Sequence, residues 1–452
     1  MKMKKILIMI VVLSVIATSC NNKQNKKIKQ NELNEENKKL VEDIRNYTGQ
    51  ELEPNVNYIP IKDDNRITKN MVKNIYDITL NKLKNFDKNT LTGKLNYLRL
   101  VEVYDTQIPN NINVDILYDK YNIPFDYMLI TSQDGQIYEK PNTNSSIAYK
   151  AEYLSKIKLE GKLIGDDNKE WYIVSWTEDN DTLYGYAPTS IGEFRTFKFQ
   201  KMIEEIERLD QEMAIMNYGY ISNYKNKNGT APLLNGESID QYGIQAYQSA
   251  DAYPNLENRS EFRYIPDGMI VFILEEKGDF YKVSNFEYEG EYWVHKKYVS
   301  FENNISSLTK AVVIDTTNQN EAVFEKRDNV WTIISYTLAT TGAKEKYKYE
   351  TPKGRFKVQE KRDKFYYIND ETKELAGYGP YGTRFTAGAY IHGVPIDFQK
   401  KDGKNIDPGM KEYLATIGTT PRSHKCVRNY TSHAKFVYDW ADLTSTSVIV
   451  ID

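Results

Sequence analysis

Apolar and polar positions alternate in short runs along most of the chain, and the runs change character near residue 310. Ile6 to Ala17 is apolar with one serine and follows Lys2, Lys4 and Lys5. That run is too short for a membrane span of about 20 residues and has the form of a secretory signal. From 21 to about 50 the chain is rich in Asn, Lys, Gln and Glu, which predicts a solvated tether because too little apolar surface can be buried. Met71, Val72, Ile75, Tyr76, Ile78, Leu80 and Leu83 have roughly helical spacing and predict a helix over about 67–86, with Asp64 or Asn65 as its cap. A second helix is predicted where Met202, Ile203, Ile206, Leu209, Met213 and Met216 recur every three or four residues, with Glu204, Glu205, Glu207 and Arg208 facing outward.

The remaining patterns predict strands. Residues 126–192 and 240–302 share a plan: a short strand after a Gly turn, an aromatic-rich strand (Trp171-Tyr172-Ile173-Val174; Phe280-Tyr281-Lys282-Val283) and a closing strand (Gly185-Tyr186-Ala187; Tyr292-Trp293-Val294). Beyond Lys310 come Ala311-Val312-Val313-Ile314-Asp315, Ala322-Val323-Phe324, Trp331-Thr332-Ile333-Ile334 and finally Ser447-Val448-Ile449-Val450-Ile451. Hairpins are expected over 356–385. A helix is expected from Asn429 to Ala441, with Phe436, Val437 and Trp440 on one face.

Composition adds bounds. The 452 residues are enough for two to four domains, and the 36 tyrosines suit β-rich ones. Formal net charge is −3; residues 1–19 carry three lysines and no acid, so the chain from Cys20 onward is −6, which gives no basic footprint for nucleic acid.

The candidate chemistry lies in Ser423-His424-Lys425-Cys426-Val427-Arg428-Asn429. Only two cysteines and four histidines exist, and the other cysteine is Cys20. If the signal ends there, Cys426 has no second thiol to pair with. Cys426 is either a buried, inert core thiol or the nucleophile of a Cys–His pair. In an extended segment His424 would share a face with Cys426. Arg428, one step further, is either a bidentate carboxylate fork or half of a structural ion pair. His295 and His433 read as structural.

Three segments occur in order: Thr351-Pro352-Lys353-Gly354-Arg355-Phe356, then Gly388-Ala389-Tyr390-Ile391-His392-Gly393, then the cysteine segment. They resemble the T-P-x-G-x-F, I-H-G and S/T-H-G-C-hydrophobic-R/N segments of the YkuD-type L,D-transpeptidases, the cysteine enzymes that cross-link peptidoglycan. The resemblance covers about the last 145 residues. It implies Cys426 as nucleophile, His392 as base and His424 as a positioning and tuning residue. It places Arg428, Ser423, Gly393, Tyr390 and Asn429 at the substrate and the N–H groups of Lys425 and Cys426 at the oxyanion. It implies no metal and no cofactor. The activity expected is 3→3 cross-linking of stem peptides through a thioester, with release of D-Ala. The alternatives are an L,D-carboxypeptidase or protein-to-peptidoglycan attachment at the same site, and a non-catalytic wall-binding lipoprotein.

Two departures stand out. Thirty residues separate His392 from Ser423, an interval longer than is usual, and the surplus around Asp397–Gly409 is expected to be a surface insertion. Lys425 replaces a glycine; it is able to lower the thiol pKa, or to crowd the turn if that turn needs φ > 0. Thr18-Ser19-Cys20 resembles a lipoprotein cleavage site, implying lipidation of Cys20 and a membrane-anchored protein facing the periplasm or cell wall. The two strand-rich stretches resemble bacterial SH3-like domains, whose aromatics either bind wall or fill the core.

The expected fold is mainly β and multidomain. It comprises a signal (1–19), a tether (20–50), an accessory region, partly helical (51–125), an SH3-like module (126–192), a helical spacer (193–239), a second SH3-like module (240–305) and a YkuD-like β-sandwich catalytic domain (306–452). The last is expected to fold alone.

Overall fold

The computed structural model describes residues 99–452, apart from 166, 179, 180, 346, 347, 370 and 402, together with the short strand Ile67–Thr68. The signal, the tether, Cys20 and residues 69–86 of the expected helix lie outside the described residues; its first two positions, Ile67 and Thr68, are instead a strand paired with Ile116 and Asp115. The fold is mostly β, with two α-helices among the described residues, α1 (Phe199–Ile215) and α2 (Thr431–Trp440).

The apolar runs beyond Lys310 are continuous rather than alternating, which is the signature of strands covered on both faces. The sheet they build has the order Ile67–Thr68, Asn113–Ile116, Val330–Leu338, Asn320–Arg327, Lys310–Asp315, Thr446–Ile451, Gly354–Lys357. It includes the parallel pair Lys310–Asp315 and Thr446–Ile451, running in register from Lys310↔Thr446 to Asp315↔Ile451. Successive residues of one strand enter different cores. Val312, Ile314, Val323 and Ile334 pack with Phe385, Ala389, Ile391 and Val427 of a second sheet. Ala311, Val313, Phe324 and Ile333 pack with Phe199, Met202, Ile203, Ile206 and Leu209 of α1. The second sheet has the order Glu360–Ile368, Leu375–Thr386, Ala389–His392, Val427–Arg428.

Upstream, an eight-stranded sheet includes Arg99–Val103 and runs to Gly192–Thr196; a seven-stranded one takes in Tyr218–Ile221 besides strands from 249 to 300. Both extend past the modules expected at 126–192 and 240–305. The extra strands carry no run long enough to stand out, and pair only because an edge is offered to them. Likewise Asn113–Ile116, within the region expected to be partly helical, is a parallel neighbour of Val330–Leu338, with Ile333↔Val114. Trp171 and Trp293 are 1% and 9% exposed, so both are core residues. His295 accepts a hydrogen bond from the Lys297 N–H at the start of a 3-10 turn. The expectation that 306–452 folds alone does not fit this packing, since α1 and Asn113–Ile116 cover one face and one edge of the sheet.

A separate compact unit holds residues 366–377 and 398–408 of the described chain. Within it, Gln399–Lys401 pairs with Lys404–Ile406 in a polar, mostly exposed hairpin, as expected of the insertion.

One buried polar cluster sets a pH dependence. Glu321 Oε1 and His433 Nδ1 lie 3.3 Å apart with no solvent exposure, and Ser335 Oγ is 2.7 Å from His433 Nε2. Burial pushes Glu321 up to about 8 and His433 down to about 3, so both are uncharged at neutral pH. For the raised carboxyl, the folded state holds a proton that the unfolded chain has lost above about 4.5, so stability falls as pH rises toward 8. For the lowered imidazole, stability falls as pH drops below about 6.5. Glu321→Gln should therefore match the wild type near pH 5 and gain up to ~1.4 kcal/mol per pH unit between 5 and 8. Thermal melts at three pH values read this; a difference that does not vary with pH contradicts it.

Candidate active site

The second sheet carries the chemistry on one face. Its last two strands are parallel, with Ile391↔Val427 and His392↔Arg428. Ile391 and Val427 point into the core. By the two-residue period of a strand, Tyr390, His392 and Arg428 point the other way. Cys426 lies one step before this ladder, on the side of Tyr390, and its Sγ–H donates to the Gly388 carbonyl at 3.9 Å. His392 and Cys426 are thus diagonal neighbours on adjacent strands.

Both are enclosed: His392 is 3% and Cys426 9% exposed. His392 Nδ1 lies 2.6 Å from the Gly393 carbonyl, an acceptor only, so Nδ1 carries the proton and Nε2 is left with its lone pair. Burial, and then the Arg428 charge, push the imidazole down to about 3. Burial raises the Cys426 thiol, although the charges of Arg428 and Lys425 pull against it. At neutral pH the two groups are therefore a thiol and a neutral imidazole. Phe365 fixes the two neighbours, stacking on Tyr390 at 4.3 Å and meeting the His392 ring edge-on at 4.8 Å. Gly379 leaves room for this arrangement; a Cβ there would lie 2.2 Å from Phe365 and 2.8 Å from His392 Nδ1.

The turn before Cys426 is clamped at two carbonyls. Ser423 Oγ donates to the Cys426 carbonyl. Thr351 Oγ1 donates to the Lys425 carbonyl at 2.9 Å and accepts from the Gly342 N–H at 2.8 Å. This gives the threonine of the T-P-x-G-x-F segment a physical task. Lys425 has φ 82°, the left-handed region, so the turn does require the conformation a glycine adopts freely. A non-glycine residue there costs about 1–3 kcal/mol.

The chain bends at Lys425, so the extended geometry that would set His424 beside Cys426 is not present. His424 is exposed and meets the Tyr349 ring edge-on at 5.3 Å. Ser423 and Asn429, expected at the substrate, are fully buried. The Asn429 N–H donates to the His392 carbonyl at 2.9 Å, and its side chain donates to Leu338 O at 3.3 Å. Gly393 orients the imidazole through its carbonyl and donates its N–H to Pro380 O at 2.9 Å. The Tyr390 hydroxyl donates to Glu360 at 3.1 Å. His433 is buried in α2, as expected of a structural residue. Phe365 and Gly379 were not among the candidates the sequence offered. No cluster of three or more His, Cys, Asp or Glu that could hold a metal occurs among the described residues. No helix among the described residues is long and apolar enough to cross a membrane.

Residues 309–450 match the family model of YkuD, the L,D-transpeptidase catalytic domain. No match was found among curated proteins. Among solved structures, the chain is similar to a fused Zn-dependent amidase/peptidase/peptidoglycan-binding domain-containing protein from Clostridium acetobutylicum, at 21% identity over 31% of this chain and a TM-score of 0.21. It spans about half of that protein's length (51%). It is also similar to an L,D-transpeptidase from Mycobacterium smegmatis (16% identity, 40% of this chain, 90% of that one, TM-score 0.25). A third similar structure is L,D-transpeptidase 3 from Mycobacterium tuberculosis in complex with a faropenem-derived adduct (15%, 41%, 92%, TM-score 0.26). The C-terminal part of the chain, residues 309–450, is a YkuD-type L,D-transpeptidase catalytic domain.

Proposed function

We propose that the protein forms 3→3 peptidoglycan cross-links by a cysteine acyl-enzyme route. The observation that carries this reading is the diagonal placement of Cys426 and His392 on one sheet face, with Nδ1 of the imidazole tied to a carbonyl. As Cys426 attacks the carbonyl between the L-centre of the position-3 diamino acid and D-Ala, its proton passes to His392 Nε2. The oxyanion is met by the N–H groups of Lys425 and Cys426, on a turn held by Ser423 and Thr351. The carbonyl then reforms, the bond to D-Ala breaks, and Nε2 returns the proton to the leaving amine. An acceptor amine attacks the thioester, loses its proton to Nε2, and the thiolate leaves and is reprotonated.

Arg428 is assigned to a substrate carboxylate, since it lies on the same face as both reacting groups. His424 and Tyr349, at the rim, are assigned to positioning the stem. No metal or cofactor takes part. The upstream modules are read as SH3-like domains, and any wall contact falls to exposed tyrosines such as Tyr149, Tyr153 and Tyr247 rather than to Trp171 or Trp293. Cys20 is read as a lipidated anchor, and the 20–50 tether as the reach to the wall; the intact mass of the membrane-fraction protein checks this.

Mass spectrometry of muropeptides from cells with and without the protein separates the acceptors. Loss of 3→3 dimers supports a stem amine as acceptor. Loss of tripeptides alone supports water and an L,D-carboxypeptidase, and loss of stem-modified protein supports a protein amine. An unchanged wall overturns the reading.

A further inference from the structure

The turn at Lys425 pays a backbone strain that glycine would not, so its side chain is the place to look for a compensating role. That side chain is half-buried. Its Nζ donates to Gln245 Oε1 and sits 5.5 Å from the centre of the Tyr349 ring. Gln245 does not come from the catalytic domain. It ends a loop of the upstream seven-stranded module that is fixed around Asp240. The Asp240 carboxylate, 6% exposed, accepts from the N–H groups of Tyr242 (3.0 Å), Ile244 (2.9 Å) and Tyr264 (3.2 Å). Ile239 and Gln245 form a bridge across the same loop, and the Ala246 N–H donates to Ser238 O at 2.9 Å. Gln245 is thus presented by a rigid support.

We propose that the Lys425 ammonium is held as a counter-ion for the Cys426 thiolate, and that Gln245 is the residue that positions it, so that the upstream module completes the active centre. This rests on the reading of Cys426 as the nucleophile. Lys425 takes no proton from the thiol, which goes to His392; it stabilises the anion once formed. The groups around the sulfur are His392, the Arg428 guanidinium, the Gly388 carbonyl and Lys425; those around the ammonium are Gln245, Tyr349 and Cys426. Burial brings the Lys425 ammonium down to about 8, so it keeps its charge at neutral pH and loses it above. A carboxylate would hold the ammonium more tightly and neutralise it toward the thiolate. The amide oxygen of Gln245 orients it and leaves its charge available.

The test is the rate of iodoacetamide alkylation of Cys426 against pH, read by peptide mapping on the full chain so that Cys20 is scored apart. Lys425→Met and Lys425→Gly should slow alkylation at pH 7 roughly tenfold, and the deficit should close as pH rises past about 8, where the wild-type ammonium loses its charge. Lys425→Arg should restore most of the rate. Gln245→Leu should slow alkylation at pH 7 in the same way by less. Lys425→Gly should melt no lower than the wild type, because it relieves φ 82°, which separates lost charge from lost fold. A wild-type pH profile in Lys425→Met, or in Gln245→Leu, overturns the proposal. D-Ala release is measured on the same samples. Release that depends on Cys426 with an unchanged profile sinks this inference alone, and a changed profile with no release in the wild type sinks the transpeptidase reading alone.

Discussion

His392→Ala should slow acylation of Cys426 by a carbapenem about 10²–10⁴-fold at pH 7, the range general-base help supplies. A strained β-lactam carbonyl stands in for the scissile one and traps the thioester. The resting pair is a thiol and a neutral imidazole, because burial raises the first and brings the second down to about 3. Two consequences follow for pH. In the wild type, the base form of His392 persists far below the usual 6.5, so the rate should show no acid limb near pH 6.5. In His392→Ala the deficit should shrink as pH rises past the free-thiol value of about 8.5, and only well past it, since burial lifts this thiol. His424→Ala should change thiolate formation little, as His424 is exposed and packs on Tyr349. Stopped-flow rates against pH decide this. Wild-type acylation by His392→Ala at pH 7, with a slow His424→Ala, would mean the two roles are reversed.

A fragment from residue 306 to 452 should fail to fold. Val313, Phe324, Ile333, Ile449 and Ile451 share a core with α1, Val114 and Ile116. Uncovering five such side chains at about 1.5–3 kcal/mol each removes about as much as the ~5–15 kcal/mol net stability of a domain. The edge of Val330–Leu338 would also lose its partner Asn113–Ile116. A chain beginning at 99 restores both and should melt cooperatively by circular dichroism; a cooperative melt of the 306–452 fragment contradicts the shared core.

The contrast between what could and could not be read from the sequence has a physical basis. His392 and Cys426 were legible because their chemistry is written in residue type within short segments. The two helices were legible because Met202, Ile203, Ile206 and Leu209, and Phe436 and Val437, each mark one buried face. Module limits were not, because Asn113–Ile116, Gly192–Thr196 and Tyr218–Ile221 are strands only by virtue of the partner that pairs with them. The continuous run Ala311–Ile314 did state that both faces are covered, but not by what. His424 was misplaced for a local reason: the i, i+2 rule assumes an extended chain, and Lys425 turns it. Gln245 was out of reach altogether, 180 residues upstream of the lysine it holds.

On the proposed route Cys426 carries the acyl group. Incubating the full chain with a tetrapeptide stem and reading its intact mass, followed by peptide mapping, tests this directly. One adduct of the tripeptide acyl group per chain, on Cys426, with D-Ala released in step and both absent from Cys426→Ser, is the result expected. D-Ala release by Cys426→Ser at the wild-type rate, or an acyl group mapped to any other residue, would contradict it.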